Sequence, residues 1–341
     1  MTQQPAGDGA VLRAGLVGIG AMGRNHARVL AGLDGVDLVG VVDPANDPMG
    51  AAQGAPVVAT VEELIGLGID YAVVACPTGL HEEVGLKLAE ANIGALIEKP
   101  LAHSVEAARR LVDAFESRGL VAGVGHIERY NPALQSLRSR LKSGDLGEVY
   151  QVVTRRQGPF PARIADVGVV KDLATHDIDL TAWVTGRDYV SVSAHTARKS
   201  GREHEDMVVV VGELDDGTMV NHLVNWLSPL KERSTVVTGA KGCFVADTLT
   251  ADLTFYANGA QTTEWEALRN FRGVSEGDVT RLAIPKREPL LVEHELFRDA
   301  VLGEGNDIVT LRQGLRTVEV ATAILEAADT GLAVSLAGST R

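Results

Sequence analysis

The sequence predicts an α/β protein: an N-terminal Rossmann domain followed by a C-terminal α+β domain with an open, largely antiparallel sheet. Three observations support this fold class. A chain of 341 residues exceeds one typical domain. Its first part alternates short apolar runs with helical patterns, and its later part has successive strand-like runs without helices between them. We expect a loose tail at 1–10, the dinucleotide-binding domain at 11–127 and a substrate-binding and oligomerisation domain at 128–341.

Strands of the first domain are short runs rich in Val, Ile and Ala, each separated from the next by a helical pattern. Near-continuous apolar runs of this kind predict a parallel sheet covered on both faces. The predicted strands are 11–19, 38–43, 71–76, 95–98 and 121–124, and the predicted helices are 22–33, 80–92 and 104–118.

In the second domain the strands follow one another, which favours antiparallel pairing. Asp216-Gly217 is typical of a hairpin turn. The last two helices could pack back on the Rossmann domain. The predicted helices are 132–142, 169–185, 289–302 and 311–330, and the predicted strands are 149–156, 190–197, 207–214, 218–226, 234–238 and 253–256.

Composition excludes several classes of protein. The net charge of −13, from 32 basic and 45 acidic residues, argues against binding to nucleic acid or to an anionic membrane. Cys76 and Cys243 provide neither a disulfide framework nor a zinc spacing, so no metal is expected. Residues 1–8 lack the features of a signal peptide, and no apolar run approaches the ~18 residues of a membrane span. We therefore expect a cytoplasmic protein.

A glycine motif follows the first predicted strand and opens the first helix. Residues 18–23 read G-x-G-x-x-G. Gly18 permits the tight turn, Gly20 lets the backbone approach a pyrophosphate, and Gly23 allows close packing of helix on strand. The helix N-terminus offers N–H groups to the phosphates. We expect this loop, including Ala21 and Met22, to bind a dinucleotide.

Asp43 ends the second predicted strand, 20 residues after Gly23. A carboxylate at this position bonds the adenosine ribose hydroxyls of a dinucleotide. Its charge repels a 2′-phosphate, so NAD is favoured over NADP. The alternative is that Asp43 only caps the turn before Pro44.

Two further motifs lie where strands end, and ligands of such sheets bind outside the carboxyl ends of the strands. Cys76-Pro77-Thr78-Gly79-Leu80-His81 follows one strand, and Glu98-Lys99-Pro100 ends the next. For His81, a role at the helix start without ligand contact is the alternative. The expected cofactor contacts here are Cys76, Pro77, Thr78, His81, Glu98 and Lys99.

Together with the glycine motif, the E-K-P triplet resembles the Gfo/Idh/MocA oxidoreductases, named after glucose–fructose oxidoreductase and inositol dehydrogenase. The resemblance extends through G-H-I-E-R-Y-N-P at 125–132 and K-D-L-A-T-H-D-I-D-L at 171–180. It implies an NAD-dependent sugar dehydrogenase whose open sheet forms the contacts of a homodimer or homotetramer. It also implies that Lys99, Asp172 and His176 form the catalytic site.

These three residue types suit the oxidation of a secondary alcohol, which needs a hydride acceptor and a base for the hydroxyl proton. A histidine titrates near neutral pH, so we expect His176 to be the general base. Lys99 would polarise the reacting oxygen, and proton transfer centred on Lys99 is the alternative. Asp172, four residues before His176 on one helix face, would position it or a substrate hydroxyl. The structural alternatives are a half-buried histidine and a salt-bridging aspartate.

The segment 155–169 carries three arginines in an acidic chain, and Gly158 with two prolines predicts a defined loop. Arginine binds phosphate oxygens in a bidentate manner, so Arg156 and Arg163 are expected to hold a diphosphate unless they pair with carboxylates. The segment resembles the nucleotide-sugar branch of the family. That branch implies a substrate such as UDP-N-acetylglucosamine, oxidised at C3, although Lys171 and Thr175 stand where apolar residues are expected.

The cluster at 129–131 is expected to contact the sugar or its nucleotide, with an N-cap role as the alternative for Asn131. Two other functions stay open: a free-sugar or inositol dehydrogenase, which gives the arginines no phosphate, and a non-catalytic sensor, which would not need Lys99 or His176. The direction of hydride transfer is not fixed by the sequence. The expected substrate-binding residues are Arg129, Tyr130, Asn131, Arg156, Arg163, Asp172 and His176.

Overall fold

The computed structural model describes residues 11–47, 49–161, 167–259 and 275–336, so Arg163 of the predicted loop lies outside the described residues. The chain divides into two compact domains. The first contains the described residues of Met1–Ile127 and Glu288–Glu319, and the second those of Glu128–Arg287 and Val320–Arg341. In these described ranges no helix is long and apolar enough to cross a membrane.

Helices and strands are numbered here in chain order. The helices are α1 (Gly23–Ala31), α2 (Val61–Gly66), α3 (His81–Glu90), α4 (Val105–Glu116), α5 (Pro132–Lys142), α6 (Thr175–Thr185), α7 (Pro289–Leu302) and α8 (Leu311–Thr330). The strands are β1 (Leu12–Val17), β2 (Val36–Val42), β3 (Val57–Val58), β4 (Tyr71–Val74), β5 (Gly94–Glu98), β6 (Ala122–Gly125), β7 (Val149–Pro159), β8 (Tyr189–Ala197), β9 (Met207–Leu214), β10 (Met219–Asn225), β11 (Leu227–Gly239), β12 (Gly242–Asp247), β13 (Asp252–Gly259), β14 (Ser275–Leu282) and β15 (Val334–Ser335).

The first domain contains a parallel sheet with strand order β3-β2-β1-β4-β5-β6. This is the order of the doubly wound dinucleotide-binding fold, in which the chain reverses direction between β1 and β4. The predicted Rossmann domain is therefore confirmed. The buried strand residues Leu16, Val41 and Val73 form its core, and Phe297 of α7 packs edge-on against Tyr71 with ring centroids 5.3 Å apart.

The second domain contains a sheet of order β14-β13-β12-β11-β7-β10-β9-β8-β15. Its strand pairs are antiparallel except for β7 with β10, which confirms the largely antiparallel sheet. Helix residues Leu137 and Ile178 pack with Val152, Val220 and Val237 in one core. Alternation along the strands leaves the opposite face outside this core.

The structure corrects the predicted arginine loop. The segment was expected to leave the sheet after residue 156, whereas β7 continues to Pro159. Pairing with β10 on one side and β11 on the other extends the strand, because the backbone of Gln157 finds partners on both sides. Arg155 and Arg156 therefore lie on opposite faces of a strand.

Candidate active site

The glycine loop connects β1 to α1 in a conformation that needs its glycines. Gly18 has a φ of +89°, and a Cβ on it would lie 2.9 Å from the Cα of Cys76. A Cβ on Gly23 would lie only 1.9 Å from the carbonyl oxygen of Gly18, whereas one on Gly20 would meet no atom within 4 Å in the part of the chain that the structure describes. The loop is therefore packed tightly against the protein at Gly18 and Gly23 and is open at Gly20.

This open position lies at the N-terminus of α1. No side chain among the described residues caps that helix at Met22, and the N–H groups of Arg24 and Asn25 donate to the backbone carbonyls of Gly20 and Met22. An open backbone approach beside a helix N-terminus fits a pyrophosphate. The loop, with Gly20 to Met22 at its tip, is the group of residues in this domain that could hold a dinucleotide.

Asp43 follows β2, next to the glycine loop. Its Oδ2 accepts the N–H of Ile19 and its Oδ1 accepts the N–H of Ala45, each at 2.9 Å. The carboxylate thus fixes the loop and is partly exposed. A carboxylate accepts more than two hydrogen bonds, so these two still leave capacity for ribose hydroxyls.

Cys76, Pro77 and Thr78 follow β4, beside Gly18, and each is at least partly exposed. Burial raises the pKa of the Cys76 thiol to about 11, so the group is a neutral thiol at physiological pH. His81 is different: it is buried, and its two ring nitrogens lie 3.0 Å from the carbonyl oxygens of Pro100 and Cys76. Burial lowers the pKa of His81, and the position of the ring between these two carbonyls favours the alternative of a structural role at the helix start.

Glu98 and Lys99 end β5 and start the next loop. Lys99 is partly exposed at the carboxyl edge of the sheet, where the glycine loop and Cys76 also lie. Glu98 is buried, with Oε1 2.9 Å from Nε2 of His26 and Oε2 accepting the backbone N–H of Lys99 at 3.0 Å. Both carboxylate oxygens are used inside the domain, so we no longer assign Glu98 as a cofactor contact.

In the second domain, Asp172 and His176 lie on a helix that starts with a π-helical turn, Val170–Ala174, and continues as α6. The predicted regular α-helix is therefore wrong at its first turn. π-Helical turns are rare and frequent at functional sites. Asp172 is 8% exposed and His176 is partly exposed, so both have limited access to solvent.

Glu205, which the sequence did not single out, holds the start of this helix. Its Oε1 accepts the N–H of Val170 at 3.1 Å, and its own carbonyl accepts the N–H of Val169 at 2.9 Å. A Cβ on Gly168 would lie 2.0 Å from the Glu205 carboxylate, which explains the glycine there. The acidic side chain also suits the positive end of a helix.

Two of the predicted substrate-binding arginines are internal ion pairs. Arg129 donates from Nε and Nη2 to Asp179 at 2.8 and 2.6 Å. Arg156 donates to Asp177 at 2.8 Å and to Glu128 at 2.7 Å. All but Glu128 are less than one-tenth exposed, so breaking a pair would leave a buried charge uncompensated. These contacts favour the alternative that Arg156 pairs with carboxylates, and they give Arg129 an internal partner as well.

Two other predicted substrate contacts, Asn131 and Tyr130, are held inside the second domain. Asn131 is the N-cap of α5, where its Oδ1 accepts the N–H of Ala133 at 3.0 Å, and its Nδ2 donates to the carbonyl of Thr248 at 3.0 Å. Tyr130 is 5% exposed. The N-cap alternative for Asn131 is thus the one that its contacts favour.

Arg233 is a cation that the sequence did not single out. It lies on β11 opposite Arg156 and donates from Nη1 to the carbonyls of Gln157 at 2.6 Å and Glu232 at 2.8 Å. Burial and the charge of Arg156 lower the pKa of its guanidinium, against the opposing charges of Asp177, Glu128 and Asp172. Unlike Arg156, it forms no ion pair with any described carboxylate.

Two family models match this chain. The first is described as an oxidoreductase family with an NAD-binding Rossmann fold and matches residues 12–126. The second is the GFO/IDH/MocA C-terminal domain and matches residues 134–245. The two matches cover the glycine loop, Asp43, Lys99, Asp172 and His176.

Among curated proteins, the chain is similar to UDP-N-acetylglucosamine 3-dehydrogenase from Acidithiobacillus ferrooxidans, with 30% identity over 85% of this chain and 88% of that protein. It is also similar to inositol 2-dehydrogenase 2 from Saccharopolyspora erythraea, with 32% identity over 62% of this chain and 65% of that protein.

Solved structures are similar over nearly the whole chain. The A. ferrooxidans enzyme superimposes with a TM-score of 0.81 at 27% identity, over 94% of this chain and 98% of that one. The WlbA dehydrogenase from Bordetella pertussis, in complex with NADH and UDP-GlcNAcA, has a TM-score of 0.79 at 25% identity, over 96% and 99%.

Proposed function

Because the chain belongs to the Gfo/Idh/MocA oxidoreductase family, we propose that it oxidises a secondary hydroxyl of a nucleotide sugar with NAD, such as C3 of UDP-N-acetylglucosamine. Family membership makes the chain an NAD-dependent dehydrogenase of CH–OH groups. The identity of the substrate is the part that we propose. Arg233, a cation without a carboxylate partner among the described residues, is the observation that favours an anionic substrate.

The residues of the first domain fit NAD. We propose that Gly18–Gly23 hold the pyrophosphate, that Asp43 binds the adenosine ribose, and that Cys76, Pro77 and Thr78 line the groove. NAD supplies the acceptor for the hydride that leaves the carbinol carbon. The chain's own task is to hold the sugar and to remove the hydroxyl proton.

We propose that Lys99, Asp172 and His176 act on the same substrate hydroxyl. Lys99 would polarise the oxygen, and His176 would take its proton as the carbonyl forms. Asp172, in the π-helical turn, would orient His176 or a neighbouring sugar hydroxyl. Transfer of the proton to Lys99 is the competing assignment, and the reaction can run in either direction.

The proposed diphosphate contacts differ from those expected from the sequence. Arg129 and Arg156 each have carboxylate partners, so the proposal no longer includes them. Arg233 takes their place, because its hydrogen bonds to described residues use only Nη1 and leave Nε and Nη2 for a ligand. A guanidinium with such donors suits a phosphate oxygen. Arg163 stays in the proposal on the sequence alone.

A substrate panel tests the function. The purified protein would be assayed with NAD and NADP against UDP-N-acetylglucosamine, other UDP-sugars, myo-inositol and glucose, with the absorbance of reduced nicotinamide as the readout. Oxidation of a UDP-sugar with NAD is expected. Activity limited to free polyols would disprove the nucleotide-sugar assignment and favour an activity like that of the S. erythraea inositol dehydrogenase.

Asp43→Ala is expected to reduce the preference for NAD over NADP by about tenfold or more, because the charge that repels a 2′-phosphate is removed. Paired measurements of kcat/KM with the two cofactors would show it. Asp47→Ala is the control, since Asp47 caps the next turn through Ala51 and Ala52. A wild-type protein that already prefers NADP would contradict the role of Asp43.

Arg233→Gln is expected to raise KM for a nucleotide sugar about 10- to 100-fold, which corresponds to the loss of one charge-assisted hydrogen bond. KM for NAD is expected to stay unchanged. Arg155→Gln is the matched control, because Arg155 is 58% exposed on the opposite face of the same sheet. Equal effects of the two substitutions, or no effect of the first, would remove Arg233 from the substrate site.

We also propose that the protein works as a homodimer or homotetramer. Val209, Val211, Met219 and Tyr150 are 38 to 50% exposed on the outer face of the second sheet. Neighbouring apolar side chains on an open sheet face favour association with another copy. Sedimentation velocity at several concentrations would measure the oligomeric state.

A further inference from the structure

A chain of buried titratable side chains links three elements of the first domain. His26 of α1 lies between Glu98 at the end of β5 and His294 of α7. Nε2 of His26 is 2.9 Å from Oε1 of Glu98, and Nδ1 of His26 is 2.8 Å from Nε2 of His294. Both histidines are fully buried, so solvent cannot replace either bond.

The protonation states follow from the surroundings. Burial raises the pKa of the Glu98 carboxyl, but the hydrogen bond and the charge of His26, together with the charge of Lys99, outweigh it and lower this pKa below its usual value. Burial holds the pKa of His294 well below its usual value. Glu98 is therefore a carboxylate that only accepts, so Nε2 of His26 donates. Nδ1 of His26 and Nε2 of His294 share the second bond, and its direction depends on which ring nitrogens carry protons.

The second oxygen of Glu98 connects this chain to Lys99. Its Oε2 accepts the backbone N–H of Lys99 at 3.0 Å, so the Glu98 side chain bends back over the start of the next residue. If His26 did not donate to Oε1, Glu98 would be a buried carboxylate with half of its partners lost. It would then rotate toward another donor or take up a proton, and the N–H of Lys99 would lose its acceptor.

We infer that His26 is a positioning residue for Lys99, acting through Glu98, and that it couples the helix of the glycine loop to the residue proposed to polarise the substrate oxygen. The effect on turnover rests on the role of Lys99 in the proposed function. The mechanical part, that His26 holds the Lys99 backbone, does not. Displacement of a reacting group by about 1 Å can cost 100-fold in rate, so a loosened backbone matters.

Two substitutions separate hydrogen bonding from packing. In His26→Gln the amide nitrogen can still donate to Glu98, whereas His26→Leu fills the space without a donor. We expect kcat of H26L to fall by about 10- to 100-fold and kcat of H26Q to stay within about threefold of wild type. KM for the sugar and Kd for NAD are expected to change little, because neither ligand is proposed to touch His26.

Glu293→Gln is the matched control beside His294. Neither carboxyl oxygen of Glu293 has a hydrogen-bond partner among the described residues, and burial with the charge of Glu98 raises its pKa well above the usual value. It takes no part in the hydrogen bonds from His294 through His26 to Glu98, so E293Q is expected to keep wild-type kcat. Equal losses in H26L and H26Q, or wild-type kcat in a folded H26L, would overturn the inference.

Hydrogen–deuterium exchange of the peptide that contains Lys99 gives a readout that needs no substrate. Exchange at the Lys99 amide should accelerate in H26L and stay slow in H26Q and E293Q. If H26L does not fold, His26→Asn replaces it, because the side chain of Asn is shorter and its amide does not reach Glu98. The same faster exchange at the Lys99 amide is expected. Unchanged exchange in the variant without the donor would overturn the inference. A wild-type protein that oxidises no sugar, with the exchange pattern as expected, would contradict only the proposed function.

Discussion

Lys99→Ala is expected to lower kcat by about 100- to 10,000-fold and to leave the Kd for NAD within about threefold of wild type, as loss of a group that acts mainly in the transition state does. The substitution removes the cation at the carboxyl edge of the sheet but not the backbone N–H that Glu98 holds. Steady-state kinetics with the substrate found in the panel and fluorescence titration with NADH would measure the two quantities.

The control for this result is Lys87→Ala. Lys87 forms exposed ion pairs with Glu62 at 2.9 Å and Glu83 at 3.0 Å, and pairs of this kind contribute little. Lys87→Ala therefore removes one positive charge from the same domain, and we expect no change in kcat. Near-wild-type turnover of the Lys99 variant would exclude Lys99 from the mechanism.

His176→Ala distinguishes the two candidate proton acceptors. If His176 takes the proton, its variant loses the acidic limb of the profile of kcat/KM against pH, while the Lys99 variant keeps that limb at a lower rate. If Lys99 takes the proton, the Lys99 variant loses the acidic limb and the His176 variant keeps it at a lower rate. The pH profile is needed because the rate losses of two groups that act on one oxygen are not additive, so the size of each loss does not identify the proton acceptor.

The Rossmann domain could be predicted because its signals are local. The glycine motif, the strand before it and the helix after it are contiguous, and Asp43 lies one strand further along. Short or mixed segments were missed. β12, with the sequence GCFVAD, has weak strand character, and it forms because β11 and β13 flank it on both sides. Pairing of this kind is a property of the sheet and cannot be read from the segment.

Contacts between distant residues could not be predicted at the site. Arg156 was expected to hold a diphosphate and Arg129 to contact the sugar or its nucleotide, and their carboxylate partners are 21, 28 and 50 positions away in the chain. Arg233 lies two residues before the buried Thr235 and therefore shares its face of β11, a signal that becomes visible only once the inner face of that strand is known. The role of a charged residue in a strand can be assigned only when the face of the strand that carries it and its contacting residues are known.

The second large effect is expected from the glycine loop. Gly23→Ala places a methyl group 1.9 Å from the carbonyl oxygen of Gly18, a backbone atom that cannot swing away as a side chain can. Either α1 moves away from β1 or the loop opens. We expect a loss of about 3 kcal/mol or more in the free energy of unfolding, as overpacking of a rigid contact gives, together with loss of NAD binding.

Gly20→Ala separates the two consequences. Its methyl group meets no atom of the described residues within 4 Å, so thermal unfolding should match that of wild type. The same methyl group stands where the backbone is proposed to approach the pyrophosphate, so NAD affinity should fall by about tenfold or more, or about 1.4 kcal/mol. A stable Gly20→Ala protein with wild-type NAD affinity would show that the pyrophosphate does not lie against Gly20. A Gly23→Ala protein as stable as wild type would show that the loop can move without cost, and the packing argument for the third glycine would then fail.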